Sequence, residues 1–236
     1  LVVNTGIEQT VFGWVGKADG SIELNGSLLL NQSGEQTIAN TFTGSGTFTV
    51  DLSGSGNELS FANDNAFSGF SGKLLLGNLI FDAAETSSSL LSNTDVVING
   101  GAIFVADAIG TPVQTSDFTF NGGTLRVGQI EAGNNTGAKL AVSGDINIDS
   151  ASTIELEGVK LEGTQNILAA DQGVEQTIAT YTGAVSSNLD ALKVSGVGTS
   201  EIRNNSSDAD PAAYGKWSTG ALTAESGKLD VRLTLE

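Results

Sequence analysis

Short apolar runs separated by Gly and Asn recur along this chain of 236 residues, and they constrain its fold more than any other feature. An apolar run, Asn-Gly-Gly and a second apolar run occur at Val96–Val105 and again at Phe118–Val127, with a spacing of 22 residues. A repeat of this length is typical of stacked coils in a solenoid, here called rungs. At a period of about 20–25 residues the chain would hold about ten rungs.

The apolar runs have the length and alternation of β-strands, because side chains of a strand point to opposite faces in turn. Thr86–Leu91 is the only plausible short helix, and a Ser-rich loop is the alternative there. The predicted strands are Ser21–Leu24, Ser27–Leu30, Thr47–Leu52, Lys73–Leu76, Asn78–Phe81, Val96–Asn99, Ile103–Val105, Asp117–Phe120, Thr124–Val127, Lys139–Val142, Ile146–Ile148 and Thr153–Leu156.

Two further motifs leave alternatives open. Asn-Gly at 25–26, 99–100 and 121–122, and the many Ser-Gly pairs, could close two-residue hairpins or form solenoid corners. Glu-Gln-Thr followed by a β-branched residue occurs at Glu8–Val11, Glu35–Ile38 and Glu175–Ile178. It is either a repeated ligand-binding loop or, more simply, a strand edge that recurs in a repeat protein.

Composition excludes several function classes. The chain has 27 acidic and 10 basic residues, no His and no Cys. Without His or Cys, Ser-His triads, thiol nucleophiles and Cys-based zinc sites are absent. A net charge of −17 argues against binding to nucleic acid or to an anionic membrane surface. No apolar stretch reaches the roughly 18 residues of a membrane-spanning helix.

The last third of the chain differs from the rest. The first 125 residues contain 2 basic and 12 acidic residues, whereas the remaining 111 contain 8 and 15. Both Tyr residues and one of the two Trp residues lie after residue 180. We therefore predict plain rungs over residues 1–156 and a decorated C-terminal part over 157–236, with the boundary near 157–172.

The sequence resembles bacterial autotransporter passenger domains in two places. Thr41–Leu79 resembles the passenger-associated repeat, in which Gly-x-Gly and Phe-x-Gly corners alternate with short strands. Gln176–Gly183, followed by Tyr214-Gly215 and an alternating ending at Leu229, Val231, Leu233 and Leu235, resembles the autochaperone or junction region of adhesin-type members. The resemblance covers most of the chain and is weak over residues 1–40.

The resemblance implies a right-handed parallel β-helix with an irregular, capped C-terminal end. It implies an extracellular passenger at the Gram-negative cell surface, secreted through an outer-membrane β-barrel of the same polypeptide, which this chain lacks. The start Leu1–Asn4 has no basic segment of a signal peptide. We interpret the chain as an excised stalk fragment of an adhesin or self-aggregating protein. The expected partners are protein or glycan molecules on host or neighbouring cells, with self-association possible.

The resemblance also implies that the C-terminal rungs fold first and nucleate the β-helix. The residues predicted to form this autochaperone or cap are Tyr181, Gly183, Tyr214, Gly215, Trp217, Leu229, Val231 and Leu233. Tyr181, Tyr214 and Trp217 could instead form a partner-binding patch. Trp14 could stack on a sugar ring, although a lone Trp near a terminus more often covers an edge.

The sequence disfavours two carboxylate chemistries. Asn93–Asp95 resembles one short motif of polygalacturonases, but the partner motifs are missing, so a polysaccharide-degrading enzyme is the third-ranked function. Asp145, Asn147 and Asp149 share one strand face, and Asp208 and Asp210 share a loop, without the spacing of an EF-hand. The sequence therefore predicts no catalytic residue, no metal site and no cofactor. A glycan- or protein-binding module on a rung face is the main alternative function.

Overall fold

The computed structural model describes residues 1–11, 20–54, 57–107, 111–132, 137–161, 173–196, 199–202 and 213–235. In chain order, the strands are β1 Val2–Val3, β2 Glu8–Val11, β3 Ser21–Leu24, β4 Ser27–Ser33, β5 Gln36–Ile38, β6 Thr41–Gly44, β7 Thr47–Ser53, β8 Glu58–Phe61, β9 Gly69–Phe70, β10 Lys73–Gly77, β11 Ile80–Asp82, β12 Asp95–Asn99, β13 Ile103–Val105, β14 Val113–Thr115, β15 Phe118–Asn121, β16 Thr124–Arg126, β17 Gln129–Ala132, β18 Leu140–Val142, β19 Ile146–Ser150, β20 Ser152–Glu155, β21 Gly158–Leu161, β22 Gly173–Tyr181, β23 Leu192–Ser195, β24 Thr199–Ile202, β25 Ala213–Glu225 and β26 Lys228–Leu235.

The strands form a parallel β-helix, which confirms the predicted fold class. Two long sheets contain seven parallel strands each, in the orders β19-β15-β12-β10-β7-β4-β2 and β23-β20-β16-β13-β11-β8-β5. A third parallel sheet has the order β1-β3-β6-β9, and β17 pairs with β21. The last sheet, β14-β18-β22-β26-β25-β24, begins parallel and becomes antiparallel after β22. Each strand predicted from the sequence lies on an observed one.

The rung length varies along the chain and is greatest near the C-terminus. Equivalent residues one rung apart are 20 positions apart at Gly20 and Asn40 and 22 apart at Asn99 and Asn121. The spacing rises to 39 positions between Asp145 and Ala184. The prediction of about ten rungs is therefore too high, since each long sheet stacks seven strands in the described part of the chain. The 22-residue spacing holds from β10 to β12 and from β12 to β15, and most other rungs differ from it.

The Asn-Gly pairs are corners of the solenoid, and the hairpin alternative is wrong at all three. The strands that flank Asn25-Gly26, β3 and β4, lie in different sheets and each pairs with the next rung. At the later corners the amides stack: Asn121 Nδ2 donates to Asn99 Oδ1 at 2.8 Å, and Ser150 Oγ donates to Asn121 Oδ1 at 3.1 Å. Stacked amides therefore satisfy one another from rung to rung.

Thr86–Leu91 is not a helix, and the loop alternative is correct. It forms turns in which Leu90 and Leu91 are buried, and Thr86 Oγ1 donates to the Ala83 carbonyl at 2.9 Å. The short 3-10 turn Leu189–Ala191 is the helical segment of the described residues. The predicted boundary near residues 157–172 remains a prediction. Strand pairing crosses it, since β20 pairs with β23 in one sheet.

A continuous series of Phe rings forms the core of the first half. Neighbouring rings in it have centroids 4.8 to 6.4 Å apart, in stacked or edge-to-face arrangements. After Phe120 the chain contains no Phe, and the buried hydrophobic side chains of the later rungs are aliphatic. The series consists of Phe42, Phe48, Phe61, Phe67, Phe70, Phe81, Phe104, Phe118 and Phe120, all buried.

Two buried hydroxyls give a first testable prediction. Thr94 Oγ1 and Thr115 Oγ1 lie buried without a hydrogen-bond partner. We expect Thr94→Val and Thr115→Val each to raise the free energy of unfolding by about 1 kcal/mol, because Val keeps the shape and removes the unpaired polar group. Urea denaturation measures the change, with Thr119→Val on the partly exposed face of β15 as the control. Destabilisation at Thr94 or Thr115 would mean that the hydroxyl is paired.

Candidate functional site

The C-terminal end of the β-helix changes from parallel to antiparallel pairing at β22. One edge of β22 pairs in parallel with β18, where Leu140 is opposite Ala179. The other edge pairs with β26 in antiparallel register, where Ala179 is opposite Leu229 and Gln176 opposite Val231. β25 then pairs with β26, and β24 with β25. A parallel stack therefore ends in a three-stranded antiparallel cap, defined here as β24, β25 and β26.

The cap hairpin is closed by a two-residue turn, Ser226-Gly227. Both residues have positive φ, 52° and 78°, as in the turn type whose twist matches paired strands. Glu225 and Lys228 pair on either side of the turn. The Gly227 carbonyl oxygen accepts a hydrogen bond from the Tyr181 N–H at 2.9 Å, so the tip of the hairpin is fixed to the end of β22. The hairpin alternative for Ser-Gly is thus correct at this one place.

The inner face of the cap completes the core of the solenoid. Leu229, Val231 and Leu233 are fully buried, with 0% exposure, and Ile178 and Ala179 on β22 are also buried, where Ala179 lies opposite Leu229. All five belong to the same hydrophobic cluster as the earlier rungs. The alternation predicted for this segment is therefore confirmed at these three residues, since Asp230 is partly exposed and Arg232 exposed.

The other residues predicted to form the cap lie outside the buried face of β26. Tyr181 is half-buried and contacts the core at the end of β22, and Gly183 follows in a corner. The backbones of Tyr214, Gly215 and Trp217 lie in β25, opposite Glu201, Ser200 and Leu235. Their side chains lie outside the described residues, so the predicted aromatic cluster and the alternative partner-binding patch remain predictions. Trp14, the proposed sugar contact, also lies outside them.

Sequence reasoning missed the partners of the cap. β22 pairs with β26 over Gly173–Thr180, with Ile178 and Ala179 buried, and the Ser226-Gly227 turn joins β25 to β26. The available signal was Ser-Gly between two alternating runs, a hairpin pattern that the chain repeats at many corners. Glu175 opposite Arg232 and Glu225 opposite Lys228 are further complementary pairs, of the kind that stabilises antiparallel strands by about 0.2–1 kcal/mol.

Gly183 occupies a crowded corner, which yields a second prediction. A Cβ there would overlap Asp145 Oδ1 and lie 2.7 Å from the Gly144 carbonyl oxygen. We expect Gly183→Ala to lower the free energy of unfolding by about 2 kcal/mol, because the two rungs would have to separate locally. Gly100→Ala is the matched control, since a Cβ at Gly100 meets nothing closer than 4.0 Å, and a change within about 0.5 kcal/mol is expected. Equal effects at both positions would contradict this account of the corner.

The described residues contain no cluster of three His, Cys, Asp or Glu side chains that could hold a metal ion. Asp145 and Asp149 are exposed and Asn147 is half-buried, all on the outer face before and along β19, whereas Asp208 and Asp210 lie outside the described residues.

The three Glu-Gln-Thr segments fall in strands of three different sheets, β2, β5 and β22. They therefore do not form one ligand surface, and the strand-edge alternative is favoured. No helix among the described residues has the length and apolar character needed to cross a membrane.

Comparison with known proteins gives a weak match. Over 134 residues the chain is 25% identical to an uncharacterized protein, YuaQ, of Escherichia coli strain K12. The match covers 56% of this chain but only 9% of that protein's length. No family model matches the chain. No solved structure matches it either.

Proposed function

We propose that this β-helix is an extracellular passenger fragment of a bacterial autotransporter and that its C-terminal part nucleates folding during outer-membrane secretion. The observation that carries the proposal is the antiparallel cap on the core. The strand β26 buries Leu229, Val231 and Leu233 against β22 at the C-terminal end of the stack. The segments that resemble the passenger-associated repeat and the junction region support the same assignment.

The cap is the part of the chain best suited to form first. A hairpin with a two-residue turn pairs neighbours in sequence, whereas the parallel rungs pair residues 19 to 40 positions apart. Local contacts form faster, because less chain entropy is lost before they are made. Once β22 has paired with β26, its free edge offers a template for β18, and each later rung has a formed edge to join.

The two ends of the solenoid differ in the way this order of folding requires. The exposed large hydrophobic side chains among the described residues are Leu1, Val2 and Ile7, all at the N-terminal end. That end presents β1, β2 and β5 as terminal strands of their sheets. An open parallel edge can receive another strand, whereas at the other end the β14-β18-β22 sheet continues into the antiparallel cap and the two long sheets end at β19 and β23. The chain also contains no Cys that could form a disulfide before passing a pore.

Secretion tests the passenger assignment. The chain is placed between a signal peptide and an outer-membrane β-barrel domain in a Gram-negative cell, and added protease reports which part reaches the surface folded. We expect the wild-type chain to become surface-exposed and protease-resistant. Arg232→Gln, on the exposed face of β26, should behave like the wild type. A chain that stays in the periplasm, or that reaches the surface without gaining protease resistance, would contradict the passenger assignment.

We extend the proposal to the parent protein's role, adhesion to protein or glycan molecules on host or neighbouring cells. This extension rests on the sequence resemblance.

We also propose that the chain is not an enzyme. Supporting this, the carboxylate of Asp95, in the polygalacturonase-like segment, accepts the Asp117 backbone N–H at 3.3 Å and thus has a structural use. A glycan array with the wild-type chain separates the alternatives: saturable binding to one glycan class would favour a binding module on the rung faces.

A further inference from the structure

A column of three Asp residues connects the cap to the earlier rungs. Asp95, Asp117 and Asp145 occupy equivalent positions of three successive rungs, just before or at the start of strands of the first long sheet. Each Oδ1 accepts the backbone N–H of the equivalent residue one rung later. The acceptors and donors are Asp95 with Asp117 at 3.3 Å, Asp117 with Asp145 at 2.8 Å and Asp145 with Ala184 at 2.7 Å.

Two glycine residues allow the carboxylates of Asp117 and Asp145 to lie close to the backbone of the next rung. Gly144 and Gly183 immediately precede the last two N–H donors, and a Cβ at either would overlap the carboxylate of the preceding rung. The column ends at Gly183-Ala184, two residues beyond Tyr181, whose N–H is bonded to the cap hairpin. Asp145 is therefore one of the points at which the earlier rungs attach to the segment that the cap holds, beside the pairing of β18 with β22.

Stacking three carboxylates in register has a cost that only the backbone bonds offset. Like charges directly opposite one another on neighbouring strands are destabilising. Hydrogen bonds from N–H groups to an ionised acceptor are stronger than neutral ones. A one-residue slip would direct the carboxylates to the core positions of Val96, Phe118 and Ile146, all fully buried. The column thus favours the observed register over registers that are shifted by one residue.

We propose that the Asp column is a register lock with a direction, through which each incoming rung docks onto the rung already folded on its C-terminal side. In every bond of the column the incoming rung brings the carboxylate and the folded rung offers its N–H. The Ala184 N–H is the first docking point, and Asp145 is the first residue to use it. The proposal rests on the proposed function, because it requires the cap to fold before the rungs.

Refolding kinetics test the lock. Asp145→Ala is expected to slow refolding by at least about threefold, because its bond forms in the rate-limiting step. Asp95→Ala, two rungs further from the cap, should leave the refolding rate within about 1.5-fold and mainly speed unfolding. Stopped-flow refolding and unfolding of the full chain in urea measure both. Asp145→Asn keeps a neutral acceptor and should slow refolding less than Asp145→Ala.

The variant Leu229→Ala in β26 distinguishes a failure of the register lock from a failure of the proposed function. If Leu229→Ala slows refolding and Asp145→Ala does not, the lock is wrong while cap nucleation stands. If neither variant slows refolding, both fail. Should Asp145→Ala not fold, Asp145→Asn is compared with Asp95→Asn, and slower refolding of Asp145→Asn alone supports the lock. Equal refolding rates of the two Asn variants overturn it.

Discussion

Val231→Asp is expected to lower the free energy of unfolding by more than about 3 kcal/mol, since Val231 is fully buried in the centre of β26. A carboxylate there would have to be buried without a partner or pull β26 away from β22. Either outcome removes the closed end of the solenoid. Urea denaturation followed by far-UV circular dichroism measures the loss, and in the secretion experiment the variant should reach the surface in a protease-sensitive form.

Arg232→Gln is the control for this substitution, because Arg232 is the next residue of β26 and is exposed. Its loss removes one cross-strand pair with Glu175, and we expect a change below about 1 kcal/mol. Val231→Asp with wild-type stability would show that the cap is not part of the cooperative core, and the proposed nucleation would then have no structural basis.

Phe104→Ala is expected to lower the free energy of unfolding by about 3–5 kcal/mol. The ring is fully buried, with centroids 5.6 Å from Phe81 and 5.3 Å from Phe118. Its removal leaves a cavity between rungs and interrupts the series of rings. Because stability in a solenoid is transmitted between neighbouring rungs, the N-terminal rungs should unfold at lower urea than the cap. Hydrogen exchange resolved by segment measures this separation.

Phe104→Leu serves as the comparison, since Leu fills much of the same volume and should cost only about 1–2 kcal/mol. It should also leave the difference in stability between the N-terminal rungs and the cap as it is in the wild type. If Phe104→Ala and Phe104→Leu destabilise equally, the rungs are not coupled through the ring series. If Phe104→Ala weakens the cap as much as the N-terminal rungs, the two ends unfold as one unit and the expected separation is wrong.

Many strands of this fold are predictable because they bury a single face. Ser21–Leu24 has the bounds that its alternating apolar residues predict, and the continuous apolar run Ile103–Val105 also has its predicted bounds. The fully buried Leu229, Val231 and Leu233 were found by the same alternation. Period-two burial is a local property, so it can be read from a few consecutive residues.

The pairing of strands, in contrast, was not predictable from a few consecutive residues. Asn25-Gly26 and Ser226-Gly227 carry similar turn chemistry, yet the first is a corner and the second a hairpin. A glycine-containing turn permits both, and the choice depends on whether the flanking strands find parallel partners one rung away. The Asp column escaped notice for the same reason. The partner of Asp145 is a backbone N–H 39 positions later, which leaves no trace in residue type.

Native-state hydrogen exchange of the wild-type chain tests the central claim, that the C-terminal end is the most stable part and the folding nucleus. The account predicts that the amides of β22 and β26, which pair with each other, exchange only through global unfolding. The amides of the rungs from β3 to β7 should exchange at a lower free energy. Protection of β22 and β26 that is equal to or below that of the N-terminal rungs would contradict it.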